Sequence, residues 1–378
     1  MKDACIIKTV RQILPLISKE SFSILDLGSG TKESNELLMN AAVEYWGVDY
    51  VNSGNAAVIE EYNQGDFPNV QADTVVCVNC LEYIKDADAF LEKMCQSGRR
   101  EILLSYPAAE DGGDCSEKER CGYQNHLSSD ILLKKLRQMG FLPDRTEKTD
   151  DGTVLFRMIN KRRQTIDSVR RNRLTYLEAA ALWDLMEAAA RTDDLNGCII
   201  ETGCALGGSG ICIAQEKNQD KPLFIYDVFG MIPAPGEHDG EDVKERYREI
   251  KQGRSFGIGG DVYYGYQENL LETVKNSFCT ALGIKDPRES NITFIKGLFE
   301  DTLICKEPVA LAHIDCDWYD SVLVCLERIV PLLVPGGILV IDDYDHWSGC
   351  RQAVDTYFQD KKERFLFEKR SRLHIIKK

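Results

Sequence analysis

Short apolar runs alternate with amphipathic segments along the whole of this 378-residue sequence. The runs FSILDLG, TVVCVNC and EILLSYP in the first half, and GCIIETG, PLFIYDV and VALAHID in the second, predict buried parallel strands, which are apolar on both faces. Segments such as DADAFLEKMC and DSVLVCLERI between these runs predict helices. A regular alternation of strands and helices is typical of a doubly wound α/β sheet.

The same layout occurs twice, and the length fits two or three domains. We therefore predict two Rossmann-like doubly wound sheets in tandem, the first over residues 1–160 and the second over residues 170–378. The basic segment KRRQTIDSVRRNR (Lys161–Arg173) falls at the boundary. We interpret it as an exposed linker and helix start.

The net charge and the cysteine content disfavour several classes of partner and metal site. The formal net charge of -15 and the pI near 5.0 disfavour binding to nucleic acid or to an anionic membrane surface. Many of the 14 cysteines lie in apolar runs, and neither Cys77–Cys80 nor Cys115–Cys121 has the spacing of a full zinc site. With no signal peptide and no apolar run of membrane-spanning length, we expect a cytoplasmic protein with reduced thiols.

A glycine-rich turn follows the first strand of the second half, in the segment ETGCALGGSG. Gly203, Gly207 and Gly208 allow a tight turn and a close approach of a ligand to the helix that follows. Asp227 stands at the end of the next strand, where an acidic side chain binds ribose hydroxyls. This combination fits either a dinucleotide or S-adenosylmethionine; the structural alternative is a tightly packed helix cap.

The first half has a similar arrangement in ILDLGSGTKES and WGVDYV. Asp26, Gly28, Gly30 and Asp49 occupy the equivalent positions. They predict a second site for a nucleoside-type ligand.

Acidic residues end two strands of the second half, in HIDCDWYD and ILVIDDYD. Asp315 and Asp317 follow one strand, and Asp342 and Asp343 follow another. Ligands of open α/β sheets bind at these strand ends, and close carboxylates raise each other's pKa unless a cation neutralises them. We therefore predict that Asp315, Asp342 and Asp343 hold Mg²⁺ or another divalent cation. The alternative is a solvated acidic loop with helix caps.

Seven segments together resemble the macrocin O-methyltransferase (TylF/MycF-like) family over roughly Arg173 to Phe358. They are ETGCALGG, YDVFGMIPAP, YYGYQENLLETV, FIKGLFEDTL, HIDCDWYDS, PGGILVIDDYD and CRQAVDTYF. The resemblance implies a class I methyltransferase that uses S-adenosyl-L-methionine and Mg²⁺ to methylate a sugar hydroxyl. It also implies that Asp315 is the candidate base; His346 is a second candidate, although a surface role is the simpler interpretation for it.

The resemblance implies a set of cofactor-binding residues as well. In the second half these are Glu201, Gly203, Gly207, Asp227, Gly297, Phe299 and Asp301, the last three in the segment GLFED near the adenine.

A long polar insertion, roughly residues 230–265, looks like a lid over the acceptor. Its glycines suit a hinge, and Tyr263, Tyr264 and Tyr266 either stack on a sugar or pack internally. The first half resembles class I methyltransferases in general, but Lys32 stands where a third glycine is usual. In its NHLSSD segment, His126 is a candidate base, and Asn125 or Ser128 is a candidate helix cap.

The leading hypothesis is a sugar O-methyltransferase, possessing one or two active domains and acting on a glycan, a nucleotide sugar or a glycosylated natural product. One alternative is a metal-dependent glycosyltransferase with a D-x-D motif, and another is a nicotinamide dehydrogenase. A further alternative makes the first domain a non-catalytic binding or oligomerisation module. A homo-oligomer is compatible with the sequence.

Overall fold

The computed structural model describes residues 2–19, 21–30, 32–49, 58–59, 62–64, 66–108, 122–149 and 152–378. The chain divides into two compact units, Met1–Gln164 and Thr165–Lys378. Each unit contains a seven-stranded sheet and helices. The prediction of two Rossmann-like doubly wound sheets in tandem is confirmed. Cys115 and Cys121 lie outside the described residues.

The sheet of the first unit is parallel except at one edge. Its strands are β1 (Ser23–Leu27), β2 (Glu44–Asp49), β3 (Val58–Ile59), β4 (Ala72–Cys77), β5 (Gly98–Tyr106), β6 (Phe141–Lys148) and β7 (Val154–Asn160). Their order across the sheet is β3-β2-β1-β4-β5-β7-β6, and β7 is antiparallel to both of its neighbours. Successive residues of β1 belong to two separate apolar clusters, which shows that both faces of this sheet are covered.

The helices of the first unit are α1 (Lys2–Ile13), α2 (Lys32–Met39), α3 (Ala87–Ser97) and α4 (Ser129–Gln138). The hydroxyl of Ser128 accepts the N–H of Ile131 at 3.3 Å and so caps α4. Ser128 therefore has the structural role that was the simpler interpretation of the NHLSSD segment. Helix α5 (Lys161–Arg171) then crosses the boundary between the units.

The second unit repeats the strand order of the first. Its strands are β8 (Cys198–Thr202), β9 (Leu223–Asp227), β10 (Ile292–Lys296), β11 (Val309–Ile314), β12 (Leu333–Ile341), β13 (Phe365–Lys369) and β14 (Leu373–Lys377). The order is β10-β9-β8-β11-β12-β14-β13, again with an antiparallel pair at one edge. The order reverses between β8 and β11, which is where ligands bind in open α/β sheets.

The helices of the second unit are α6 (Ala179–Arg191), α7 (Gly208–Glu216), α8 (Glu241–Lys251), α9 (Leu270–Leu282), α10 (Phe299–Thr302), α11 (Tyr319–Ile329) and α12 (Ser348–Phe358). Apolar clusters cover the two faces of this sheet, with Ile199 in one cluster and Ile200 in the other. Among the helices of the described residues, none is both long and apolar enough to cross a bilayer.

Three elements differ from the sequence prediction. The sequence prediction contains no strand at β6, where Pro143 stands among charged residues; as an edge strand, β6 tolerates the proline. The segment read as an exposed linker is the full helix α5, which buries Ile166 and Val169. The polar insertion contains helix α8, whose apolar positions are few.

Gly203 sets the turn at the end of β8, since its φ is +83° and a Cβ there would lie 1.7 Å from the carbonyl oxygen of Asp315. We expect Gly203→Ala to lower the free energy of unfolding of the second unit by at least about 3 kcal/mol, because backbone must move. Gly253→Ala is the matched control, with a φ of +70° and open space around it. We expect it to lose only about 1–2 kcal/mol. Urea unfolding followed by tryptophan fluorescence measures both; equal losses would contradict the steric argument.

Candidate active site

A cavity of about 290 Å³ lies at the carboxyl ends of β8, β9, β11 and β12 in the second unit. Its walls come from the glycine-rich turn, the two acidic strand ends, the start of α10 and the polar insertion. The predicted site residues that line it are Gly203, Asp227, Phe299, Asp315, Asp342 and Asp343.

Asp227 shapes the glycine-rich turn. Its Oδ2 accepts the N–H groups of Cys204 and Ala205 at 2.8 and 3.2 Å, and its Oδ1 accepts the N–H of Phe229 at 2.6 Å. Burial raises the pKa of this carboxyl, and the three backbone donors act against that rise. Asp227 therefore fixes the turn from within, besides forming part of the cavity wall where a ribose was predicted.

A buried network of charged side chains lies beneath the acidic strand ends. His313 is fully buried, with its Nδ1 3.2 Å from Glu201 Oε1 and its Nε2 3.9 Å from Asp342 Oδ1. The guanidinium of Arg372 donates from Nε to Asp342 Oδ1 at 2.7 Å, and Glu178 binds its two other nitrogens at 2.7 and 3.0 Å. The order is thus Glu201, His313, Asp342, Arg372 and Glu178.

This network sets the charges of His313 and Asp342. Burial acts to lower the pKa of His313, but Asp342 and Glu201 outweigh it and raise the pKa to about 9. Burial likewise acts to raise the pKa of Asp342, but His313 and Arg372 hold it below its ordinary value. Asp342 is therefore a carboxylate and His313 an imidazolium at neutral pH.

Among the described residues, Asp315 and Asp343 form no ion pair, and Asp317 has only the nearby charge of Arg246. Burial raises the pKa of Asp315 and of Asp343 well above the ordinary value, and neighbouring carboxylates raise it further. Burial also raises the pKa of Asp317 to about 6. In the described part of the chain, Asp343 Oδ2 is buried and accepts no hydrogen bond. The cluster therefore needs a proton or a cation.

Among the described residues, two groups of three side chains each offer three ligand atoms that lie within 4.8 Å of one another. One group is Asp315, Asp317 and Asp343, and the second is His313, Asp315 and Asp342. The predicted metal ligands therefore divide between two groups that share Asp315. Asp317 is an additional candidate ligand, and its φ of +60° is unusual for a residue other than glycine.

Several predicted residues lie outside the cavity. Glu201 is buried beneath it against His313, and Gly207 begins α7 against the side chains of α9. Asp301 and His346 are exposed, and His346 lines a separate polar cleft on the surface. Gly297 donates its N–H to the carbonyl of Asp227 at 3.0 Å.

The insertion forms one wall of the cavity. Tyr263 and Tyr264 line it, whereas Tyr266 donates its hydroxyl to the carbonyl of Ile250 at 2.5 Å and is a packing residue. Arg246 of α8 also lines the cavity and is a further residue that sequence reasoning missed. Nothing in its exposed, charged helix distinguishes it from its neighbours in the sequence.

The first unit has a turn built in the same way. Asp49 Oδ2 accepts the N–H of Gly30 at 2.8 Å, and Gly28 has a φ of +78° with the side chain of Cys80 packed against it. Asp26 is buried and accepts the hydroxyl of Tyr45 at 2.8 Å. Burial raises the pKa of Asp26 to about 7, although Tyr45 acts against that rise.

The strand order, the glycine-rich turn and the acidic strand ends define the class I methyltransferase fold. The family model of the macrocin-O-methyltransferase (TylF) matches residues 160–365, and that of a methyltransferase domain matches residues 3–147. The chain belongs to the macrocin-O-methyltransferase family.

Two curated relatives and one solved structure show how much of this chain is similar to known proteins. An 8-demethyl-8-(2,3-dimethoxy-alpha-L-rhamnosyl)-tetracenomycin-C 4'-O-methyltransferase of Streptomyces olivaceus is 29% identical over 172 residues, covering 44% of this chain and 59% of the relative. A mycinamicin III 3''-O-methyltransferase of Micromonospora griseorubida is 29% identical over 183 residues, covering 46% and 64%. The matches thus span less than two thirds of these relatives. The solved structure of the O-methyltransferase NovP aligns with a TM-score of 0.44 at 20% identity, covering 54% of this chain and 81% of that chain.

The pKa of Asp26 predicts how the stability of the first unit depends on pH. The folded value near 7 lies above the ordinary value of 3.8, so the folded state binds the proton more tightly. The contribution of Asp26 to the free energy of unfolding is therefore most favourable below about pH 4. It is lost as the pH rises through 7, by on the order of 4 kcal/mol. We expect Asp26→Asn to remove this fall while keeping an acceptor for Tyr45. Fluorescence of Trp46 during urea unfolding at pH 4 and pH 8 measures it, and an unchanged pH dependence in the variant would contradict the assignment.

Proposed function

We propose that the second unit is an S-adenosyl-L-methionine-dependent O-methyltransferase that acts on a sugar hydroxyl. One observation carries the proposal: the glycine-rich turn after β8 lines the same cavity as a buried carboxylate cluster. This cluster consists of Asp315, Asp317, Asp342 and Asp343. The names of the relatives support it, since the acceptors they state are glycosylated small molecules. We propose the same acceptor class here: the sugar of a glycosylated natural product, a nucleotide sugar or a glycan.

The cofactor fits against the turn that Asp227 holds. Gly203, Cys204 and Ala205 line the cavity, as does Ser209 in the first turn of α7. The first N–H groups of a helix have no partner within it, although that of Gly208 is taken by the carbonyl of Leu174. Leu298 and Phe299 lie on the same cavity and offer apolar contact for a base. A donor bound against this turn would lie in the same cavity as the acidic strand ends.

The carboxylate cluster fits a divalent cation. Its donors are all oxygen atoms of aspartates, which suits Mg²⁺, and the unpartnered Asp343 Oδ2 supplies the observation that a ligand is needed. We propose Asp315, Asp342 and Asp343 as ligands, with Asp317 as the fourth carboxylate. A Mg²⁺ held by these residues would lower the pKa of an acceptor hydroxyl.

The protein's own residues position the acceptor and take up its proton. We assign the proton to Asp315, because its carboxyl lines the cavity that would hold the acceptor. We do not assign it to His346, which is exposed outside the cavity. The rings of Trp318, Trp347 and Tyr264 surround the acceptor space and exclude water.

We propose that the first unit retains a second nucleoside site. Its turn is held by Asp49 as the second turn is held by Asp227, and the buried Asp26 reduces stability, as functional carboxylates often do. The glycosyltransferase and dehydrogenase alternatives receive no support from the relatives named above. Cytoplasmic location and a homo-oligomeric state stay predictions.

Calorimetric titration with S-adenosylhomocysteine tests the number of cofactor sites. We expect about two equivalents to bind, and Asp227→Asn to leave one, because its amide cannot accept all three turn N–H groups. One equivalent in the wild type that disappears in the variant would refute a cofactor site in the first unit. No binding at all would refute the methyltransferase proposal.

Asp343→Asn tests the carboxylate cluster. We expect kcat to fall at least about 100-fold, since one stabilising group at a developing oxyanion contributes that much. The affinity for S-adenosylhomocysteine should change less than about threefold, because the turn is untouched. Release of S-adenosylhomocysteine is measured over a panel of sugar acceptors with Mg²⁺ and with EDTA. Asp345→Asn, an exposed carboxylate in the same segment, is the control and should match the wild type. Equal activity of Asp343→Asn and the control would refute the role of the cluster.

A further inference from the structure

Two helices follow the acidic strand ends, and neither starts with a side chain able to cap it. α11 begins after Trp318 and α12 begins after Trp347. An indole carries a donor but no acceptor, whereas the first N–H groups of a helix need acceptors. The acceptor for each helix must therefore come from another part of the chain.

Two aspartates of the insertion supply these acceptors. Asp239 Oδ1 accepts the N–H of Tyr319, the first residue of α11, at 2.8 Å. Asp242 accepts both the N–H and the hydroxyl of Ser348, the first residue of α12, at 3.0 and 2.6 Å. The insertion thus caps, from outside, both of the helices that follow the carboxylate cluster.

Close packing accompanies both caps. A Cβ added to Gly349 would overlap the carboxylate of Asp239, and a Cβ added to Gly240 would overlap the hydroxyl of Ser348. Asp239 is only 2% exposed, and burial raises the pKa of its carboxyl despite the two backbone donors. A buried carboxylate is unfavourable unless it is hydrogen-bonded. These contacts therefore depend on the insertion lying against the starts of α11 and α12, an arrangement that we call seated.

The same insertion also holds the aromatic wall of the cavity. The indole nitrogen of Trp318 donates to the carbonyl of Pro233 at 3.1 Å, and the rings of Trp318 and Trp347 meet edge to face at 5.8 Å. Both tryptophans line the cavity. Each stands between a capped helix and a segment of the carboxylate cluster.

We propose that Asp239 and Asp242 are positioning residues that couple the seating of the insertion to the geometry of the carboxylate cluster. When the insertion is seated, the two caps fix the starts of α11 and α12. The short segments before them, residues 315–318 and 342–347, then have one arrangement. The insertion therefore closes the acceptor cavity and orders the carboxylate cluster at the same time.

Hydrogen exchange read by mass spectrometry on the full chain without metal tests the coupling. We expect Asp242→Ala to raise exchange at least about fivefold in residues 342–347 and also in residues 315–318, the factor that loss of one cap implies. Asp242→Asn keeps an acceptor and should restore protection in both segments. Glu245→Ala, an exposed acidic residue on the same helix, is the control and should match the wild type.

A titration with Mn²⁺ gives a second measure. We expect Asp242→Ala to weaken Mn²⁺ binding about fivefold or more, and Asp242→Asn to restore it. This measure rests on the proposed cation site, whereas the exchange measurement does not. A wild type that binds no Mn²⁺ would refute the cation and leave the exchange result to decide the coupling.

The coupling is overturned if the exchange of Asp242→Ala rises only in residues 230–265 and at Ser348, with residues 315–318 protected as in the wild type. It is also overturned if Asp242→Asn fails to restore protection, since a helix cap needs an acceptor and not a charge. Asp239→Ala provides the reciprocal test. It should raise exchange in residues 342–347 as well as near Tyr319, because the insertion then seats less firmly.

Discussion

Buried negative charge is the constraint on which the second unit depends. Five carboxyl groups meet at the ends of two neighbouring strands and below them: Glu201, Asp315, Asp317, Asp342 and Asp343. In the described part of the chain, two cations form ion pairs with this group: Arg372 with Asp342, and His313 with Glu201 at 3.2 Å and with Asp342 at 3.9 Å. Asp315 and Asp343 have no such ion pair among these residues, so a cation is most strongly attracted to them.

The two units share one electrostatic device. In each, the carboxylate that ends the second strand accepts N–H groups from the turn after the first strand, Asp49 from Gly30 and Asp227 from Cys204. Such a carboxylate holds the turn in shape before any ligand arrives. Preorganisation of this kind reduces the ordering that binding must impose.

The sequence was sufficient for the sheets and for much of the cavity. Apolar runs define β8 and β11 without ambiguity, so Gly203 and Asp315 could be placed at strand ends that meet. Edge strand β6 was missed because half of its residues face water. Arg372 gave no signal either, since its contact with Glu178 joins residues 194 apart. Asp301 follows a predicted strand end, but the single turn of α10 directs it outwards.

The contact between Arg372 and Asp342 also has a kinetic consequence. Strand β14 can pair with β12 only after the intervening helix and β13 exist, and Arg372 reaches Glu178 across most of the second unit. Contacts between residues so distant in sequence form late, because loop closure precedes any gain from them. Until then, Asp342 is a carboxylate without its guanidinium. We therefore expect this charge network to form late in folding, so that the cavity is complete only when Arg372 reaches Asp342.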